Sequence, residues 1–177
     1  TLANLRVLVA HDPARAPQML DHLIAYLRAT LGASRSTQHP LQAEFDRLRD
    51  YLALMAVRMG PRLRYTLDLP DDLAQQPVPT LLLQPLVENS ITHGLEPQVE
   101  GGHITVQARR EGARLVLTVI DSGVGLGAET RPGGGFGLAQ VRERLATAYG
   151  AQGTIELIAG SAGGMCTRVT FPLKNEP

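Results

Sequence analysis

Thr80-Leu-Leu-Leu-Gln-Pro-Leu-Val-Glu88-Asn89-Ser-Ile-Thr-His93-Gly94 is the stretch whose reading decides the fold. Leu82, Leu83, Leu86, Val87 and Ile91 recur at three- and four-residue intervals, the spacing of an apolar helical stripe. Pro77 and Pro79 stand ahead of it, and Gly94 is the expected stop. Asn89 and His93 are four apart and share a face with Glu88 on its flank, so an amide, an imidazole and a carboxylate leave the helix together. An isolated Glu-Asn pair is ordinarily a solvated helix face. Two glycine-rich segments downstream shift the reading toward a ligand site.

The chain around this helix reads as mixed α and β structure. Residues 62–69 alternate, with Leu63, Tyr65, Leu67 and Leu69 on one face, as a half-buried strand does. A polar loop, 96–102, leads to a strand over 103–110, and Glu111-Gly112 turns tightly into residues 115–120, apolar enough for a strand covered on both faces. A helix over 136–149 and strands near 153–158 and 166–173 complete the set. Helices that do not strictly alternate with strands predict one mixed sheet with helices on a single face, an α+β fold built as a two-layer α/β sandwich.

The first third reads as helices. Leu2, Leu5 and Val9 are interrupted at His11-Asp12-Pro13, a helix restart in which Asp12 caps and Pro13 fits the first turn. Leu20, Ile24, Leu27 and Leu31 follow, and then Leu41, Phe45, Leu48, Leu52, Met55 and Met59, closed by Gly60-Pro61. Two such seams predict a helical hairpin over residues 1–60 that pairs with the same hairpin of a second chain as a four-helix bundle, the alternative being a hairpin that packs only on its own domain, followed by an α/β domain over 61–177. His11, His22 and His39 read as ordinary surface or turn residues.

Composition narrows the function classes. Lys plus Arg and Asp plus Glu number 17 each, so the net charge is zero and no polyanion affinity is implied; nucleic acid is not an expected partner. The single cysteine, Cys166, cannot close an internal disulfide, and no apolar run approaches the roughly 20 residues of a membrane helix.

The chemistry gathers in two further segments. An Asp ending an apolar strand, Asp121-Ser122-Gly123-Val124-Gly125, fixes a carboxylate at a pocket floor, and the spaced glycines let backbone approach a planar ligand. Gly133-Gly134-Gly135-Phe136-Gly137-Leu138 opens a helix, where exposed N–H groups favour phosphate oxygens. No Gly-Lys-Ser/Thr follows it and no strand precedes it, which excludes a Walker loop and a dinucleotide fingerprint.

In this order the three segments resemble the N box and the two glycine boxes of the GHKL (Bergerat) ATP-binding fold shared by histidine kinases, gyrase and MutL. Leu82-Leu-Gln-Pro-Leu-Val-Glu-Asn-Ser-Ile-Thr-His-Gly, Gly137-Leu-Ala-Gln-Val-Arg-Glu-Arg-Leu, Gly163-Gly…Thr167-Arg-Val-Thr-Phe-Pro-Leu and Tyr51-Leu-Ala-Leu-Met-Ala-Val-Arg-Met-Gly-Pro-Arg-Leu are similar to the LytS/YehU/AlgZ branch of sensor histidine kinases. The resemblance implies ATP and Mg²⁺ as cofactors. Asn89 would hold the Mg²⁺, Asp121 would accept from the adenine amino group, and Gly123 and Gly125 would seat the purine. Gly133, Gly135, Gly137 and Leu138 would wrap the triphosphate, His93 would border it, Thr167 would support the adenine, and Arg131 would reach a phosphate from a short lid over 126–132. Glu88 is the only acid on this helix and stands with Asn89 and His93 as a candidate catalytic residue.

The resemblance further implies a homodimer that passes phosphoryl to a response regulator, typically of the LytTR type. The accepting His would lie just upstream of residue 1, and the parent protein would be membrane-anchored with this part on the cytoplasmic side. The sequence departs from many relatives at Thr92, where Lys is common, at Gly134, where Thr is common, and at Pro85, where the hydrolases of this fold carry a Glu base. The alternatives are an ATPase clamp of the same fold and a non-catalytic nucleotide-binding dimerisation module.

Overall fold

The computed structural model describes residues 37–125, 136–160 and 163–173, together with helical positions at Pro17, Leu20 and Ile24. Strand β1 (Gln38–Pro40) leads into helix α1 (Leu41–Met59). Strands β2 (Leu63–Asp68) and β3 (Pro77–Pro79) precede helix α2 (Gln84–Asn89), which runs on as one π-helical stretch, Ser90–Leu95. Then follow β4 (Gly102–Glu111), β5 (Arg114–Asp121), helix α3 (Phe136–Tyr149), β6 (Thr154–Ala159) and β7 (Met165–Pro172).

Five strands form one mixed sheet in the order β2-β4-β5-β7-β6, with β2 and β4 parallel and the other neighbours antiparallel. Gly112, at φ 61°, lets β4 turn directly into β5. The inward residues Ile104, Val106, Leu117, Val119, Val169 and Phe171 are buried in one apolar cluster with Leu86, Val87, Val141 and Leu145 of the helices. Each such side chain contributes about 1.5–3 kcal/mol on burial. The two-layer sandwich expected from the sequence is therefore present. Strand β5 is not covered on both faces along its length, however: Ile120, on the face away from the helices, is 39% exposed.

Helix α1 belongs to the same cluster. Leu41, Phe45, Leu48, Leu52, Met55 and Met59, the seam read as half of a dimerisation hairpin, are all buried within the single chain. The short β1–β3 pair, absent from the sequence reading, brings the start of α1 to the approach of α2: Leu41 N donates to Gln76 O and Gln42 N to Ala74 O. These carbonyls satisfy helix N–H groups that no capping side chain serves. The first helical seam falls outside the described residues except at Leu20 and Ile24, which are 43% and 39% exposed.

Candidate nucleotide site

Gly94 was expected to stop the helix, and instead it lies inside the π-helical turn, which ends at Leu95. Glu96 N donates to Ile91 O, the five-residue spacing that widens a helix by one residue, a device common at functional sites. The α-helix also begins later than the stripe suggested, at Gln84, with Pro85 in its first turn, where a missing N–H costs nothing. Leu82, Leu83, Leu86, Val87 and Ile91 are buried as the spacing required.

Why glycine occupies position 94 is a matter of contact. A β-carbon there would sit 3.0 Å from Asp121 Oδ1, and one on Gly123 would meet the Gly94 backbone at 2.5 Å. Val124 N donates to Gly94 O at 3.2 Å. The turn after β5 therefore rests on the helix that carries Asn89, and two of the three sequence segments meet at one point. Gly164, at φ 78°, closes the other side: its β-carbon would lie 2.0 Å from Asp121 O, and Gly125 abuts Gly164 O. The third segment reaches the same helix through Gly137, where a β-carbon would be 3.3 Å from Pro85 O.

Asp121 is 7% exposed. Its Oδ1 accepts from Gly123 N at 2.9 Å and Met165 N at 3.3 Å, and Oδ2 has no hydrogen-bond donor among the described residues. A buried carboxylate fixed by backbone on one oxygen leaves the other as an acceptor for an external donor, so the residues present fit an amino-bearing planar ring. Thr167, 5% exposed, shares the inward face of β7 and pairs with Val119 beside Asp121. Ser122 seals the floor from outside: its Oγ accepts from His103 N, and its N donates to His103 O.

Asn89 is half-buried and His93 exposed on the same stretch, while Glu88 accepts from Gln84 Nε2 at 2.7 Å. Thr92 is exposed, and Leu138 packs on the core at the start of α3. Arg131, Gly133, Gly134 and Gly135, together with the rest of the expected lid, lie outside the described residues. Among the described residues no group of three or more His, Cys, Asp or Glu side chains gathers around a common point, and no helix is long and apolar enough to cross a membrane.

Two residues at the entrance to α2 were missed in the sequence. Glu44 of α1, 1% exposed, accepts from Leu81 N at 2.8 Å and Leu83 N at 2.9 Å. Arg144 of α3 donates to Thr80 O at 2.5 Å and Leu81 O at 2.6 Å. The signal for Glu44 was its spacing: three after Leu41 and four before Leu48, it is a carboxylate on a buried stripe, and the guanidinium of Arg47, three residues on, is buried beside it. Arg47 Nη1 lies 3.3 Å from Glu44 Oε1, and His39 Nε2 lies 2.7 Å from the same oxygen, an ion-pair distance without hydrogen-bond direction. His39 is thus enclosed rather than an ordinary surface residue.

Residues 75–175 match the family model "Histidine kinase-, DNA gyrase B-, and HSP90-like ATPase", and residues 1–63 match the model "Histidine kinase". The chain is 33% identical over 170 residues to the sensor histidine kinase YesM of Bacillus subtilis, covering 94% of this chain and 29% of that protein. It is 31% identical over 150 residues to the sensor histidine kinase BtsS of Escherichia coli, covering 84% and 26%. The chain thus spans less than a third of the length of these relatives. Its fold is similar to the histidine kinase domain of a blue-light activated histidine kinase from Erythrobacter litoralis, with TM-score 0.59, 16% identity and coverage of 96% and 84%. The catalytic domain of histidine kinase ThkA is a further match, with TM-score 0.60, 16% identity and coverage of 77% and 96%.

Proposed function

The chain belongs to the histidine kinase-, DNA gyrase B- and HSP90-like ATPase family, and from that premise we propose that it is the ATP-binding kinase core of a two-component sensor, which transfers the γ-phosphoryl of ATP to a protein histidine. The observation that carries this reading is the meeting of the Asn89 helix with the Asp121 turn at Gly94. It supports a reading in which Asn89, a neutral oxygen ligand, and the buried acceptor Asp121 serve one site.

In this reading Asp121 Oδ2 accepts from the adenine amino group, Gly123 and Gly125 let the purine approach backbone, and Thr167 supports it from β7. Asn89 would hold Mg²⁺ through its amide oxygen, a neutral ligand of the kind that suits this ion. Bound Mg²⁺ supplies charge neutralisation on the phosphate oxygens. His93 borders the phosphates, and Gly133, Gly135 and Gly137, with Leu138 and Arg131, wrap them. Pro85 stands where a hydrolase of this fold carries its water-activating Glu, which favours transfer to protein over hydrolysis. Catalysis by this chain is then mostly positioning.

Residues 1–60 form the dimerisation region and 61–177 the ATP-binding domain, with α1 also covering the domain's core. The match of residues 1–63 to the histidine kinase model and the exposed apolar pair Leu20 and Ile24 support a homodimer. The protein acceptor downstream is a response regulator of the LytTR type, and the parent protein is membrane-anchored with this part on the cytoplasmic side.

Titration with ATP, with and without Mg²⁺, and incubation of the parent protein with labelled ATP test the proposal. Saturable Mg²⁺-dependent binding and label on a histidine are expected. Absence of affinity would identify a non-catalytic module, and steady hydrolysis without labelled protein would identify a clamp.

A further inference from the structure

The segment that feeds the Asn89 helix is an unusual piece of backbone. Leu81 is the single non-glycine residue with positive φ, 57°, among the described residues, a left-handed conformation that a branched side chain resists. Leu82 and Leu83 beside it are fully buried, and the helix that starts at Gln84 has no capping side chain of its own. Besides the backbone bond from Thr80 N to Thr37 O, side chains of two other helices hold residues 80–83. Glu44 takes the N–H groups of Leu81 and Leu83 with separate carboxylate oxygens, and Arg144 takes the carbonyls of Thr80 and Leu81 with one guanidinium nitrogen. At the far end of the same helical stretch, Arg58 of α1 pairs with the Glu96 carboxylate, and Arg62 donates to the carbonyls of Glu96 and Gln98.

We propose that Glu44 and Arg144 are positioning residues for the nucleotide site: together they clamp the left-handed joint at Leu81 and so fix the direction in which α2 presents Asn89. Neither touches the site itself. Because Glu44 sits on α1, the helix that follows β1, a shift of α1 would reach the metal ligand through this joint, which gives α1 a lever on nucleotide affinity. The inference rests on the reading of Asn89 as the Mg²⁺ ligand.

The clamp is tested in the 177-residue chain with Glu44→Gln, Arg144→Met, the double variant, and each of these combined with Leu81→Gly. Glutamine can accept only one of the two amides, and glycine adopts the left-handed joint unaided. Affinity for a non-hydrolysable ATP analogue is measured in Mg²⁺ and in EDTA, alongside amide hydrogen exchange of residues 81–95 in the nucleotide-free protein. Each single variant should lose about tenfold in the Mg²⁺-dependent part of the affinity, the scale of one buried charged hydrogen bond. The double variant should lose less than the product of the two, because both act on one joint. Exchange at 81–95 should rise, and Leu81→Gly should restore part of the affinity. Equal losses in Mg²⁺ and EDTA, or no rescue by glycine, would reduce the pair to a structural role and overturn the proposal. A wild-type chain that binds no Mg²⁺-nucleotide would overturn the reading of the site instead, and unchanged exchange would then sink the clamp independently.

Discussion

Gly94 and Asp121 are in contact across the site, the α-carbon of one so near the carboxylate of the other that a β-carbon would meet Oδ1 at 3.0 Å. Asp121 cannot easily give way, because Gly123 N and Met165 N hold that oxygen. Gly94→Ala should therefore displace the carboxylate and lower ATP affinity by at least about tenfold, while overpacking costs about 1–3 kcal/mol of stability. Isothermal titration beside thermal unfolding separates the two effects. Unchanged affinity would show that this contact does not shape the site.

Asp121→Asn keeps the shape and changes the chemistry. The amide oxygen can still accept from Gly123 and Met165, but the free position becomes an N–H₂ donor facing the ligand. ATP affinity should fall about 10- to 100-fold, the cost of leaving buried donors opposed. The unfolding midpoint should move little by comparison.

Two glycines with similar left-handed backbone should respond differently to alanine. Gly112 has open space around its β-position, so Gly112→Ala should cost about 1–2 kcal/mol, the left-handed penalty alone. At Gly164 the added carbon would lie 2.0 Å from Asp121 O, a backbone atom. Gly164→Ala should cost more than about 3 kcal/mol in chemical denaturation, among the large effects that strain at a special position produces. Equal losses at the two sites would contradict the packing described.

Leu52 lies on the seam of α1 and is fully buried within one chain. Leu52→Ala should destabilise the domain by about 2–5 kcal/mol. That loss should not depend on protein concentration, whereas a residue buried only between two chains would give a midpoint that shifts with dilution.

Tyr149 stacks on Phe171, with ring centroids 4.5 Å apart, and its buried Oη has no hydrogen-bond partner among the described residues. Burial pushes the phenol up to about 12. The folded chain thus keeps this proton after the unfolded chain has released it near 10, so stability should fall as pH rises from about 10 toward 12. Tyr149→Phe should remove that alkaline loss and, by deleting an unsatisfied hydroxyl, leave the protein at neutral pH as stable as before or more so. Denaturation midpoints from pH 8 to 11 check both statements.

The sequence alone determined the sheet, the helix at 136–149 and the three segments to examine for a site, because each depends on periodicity or on a residue type that a local backbone requires. The alternation of 62–69, the stripe from Leu82 to Ile91 and the Asp-Gly pair at 121 and 123 are local patterns with one economical solution. Only the tertiary structure decided that Gly94 is a contact rather than a stop, since the pressure on it comes from Asp121, far along the chain. The same holds for α1, whose heptad spacing is shared by a two-chain seam and a core helix, and for Glu44, Arg144 and the left-handed Leu81. A buried carboxylate that caps another helix, and a guanidinium that takes its carbonyls, are long-range hydrogen bonds. Their partners become neighbours only once the fold has closed, so no local pattern announces them.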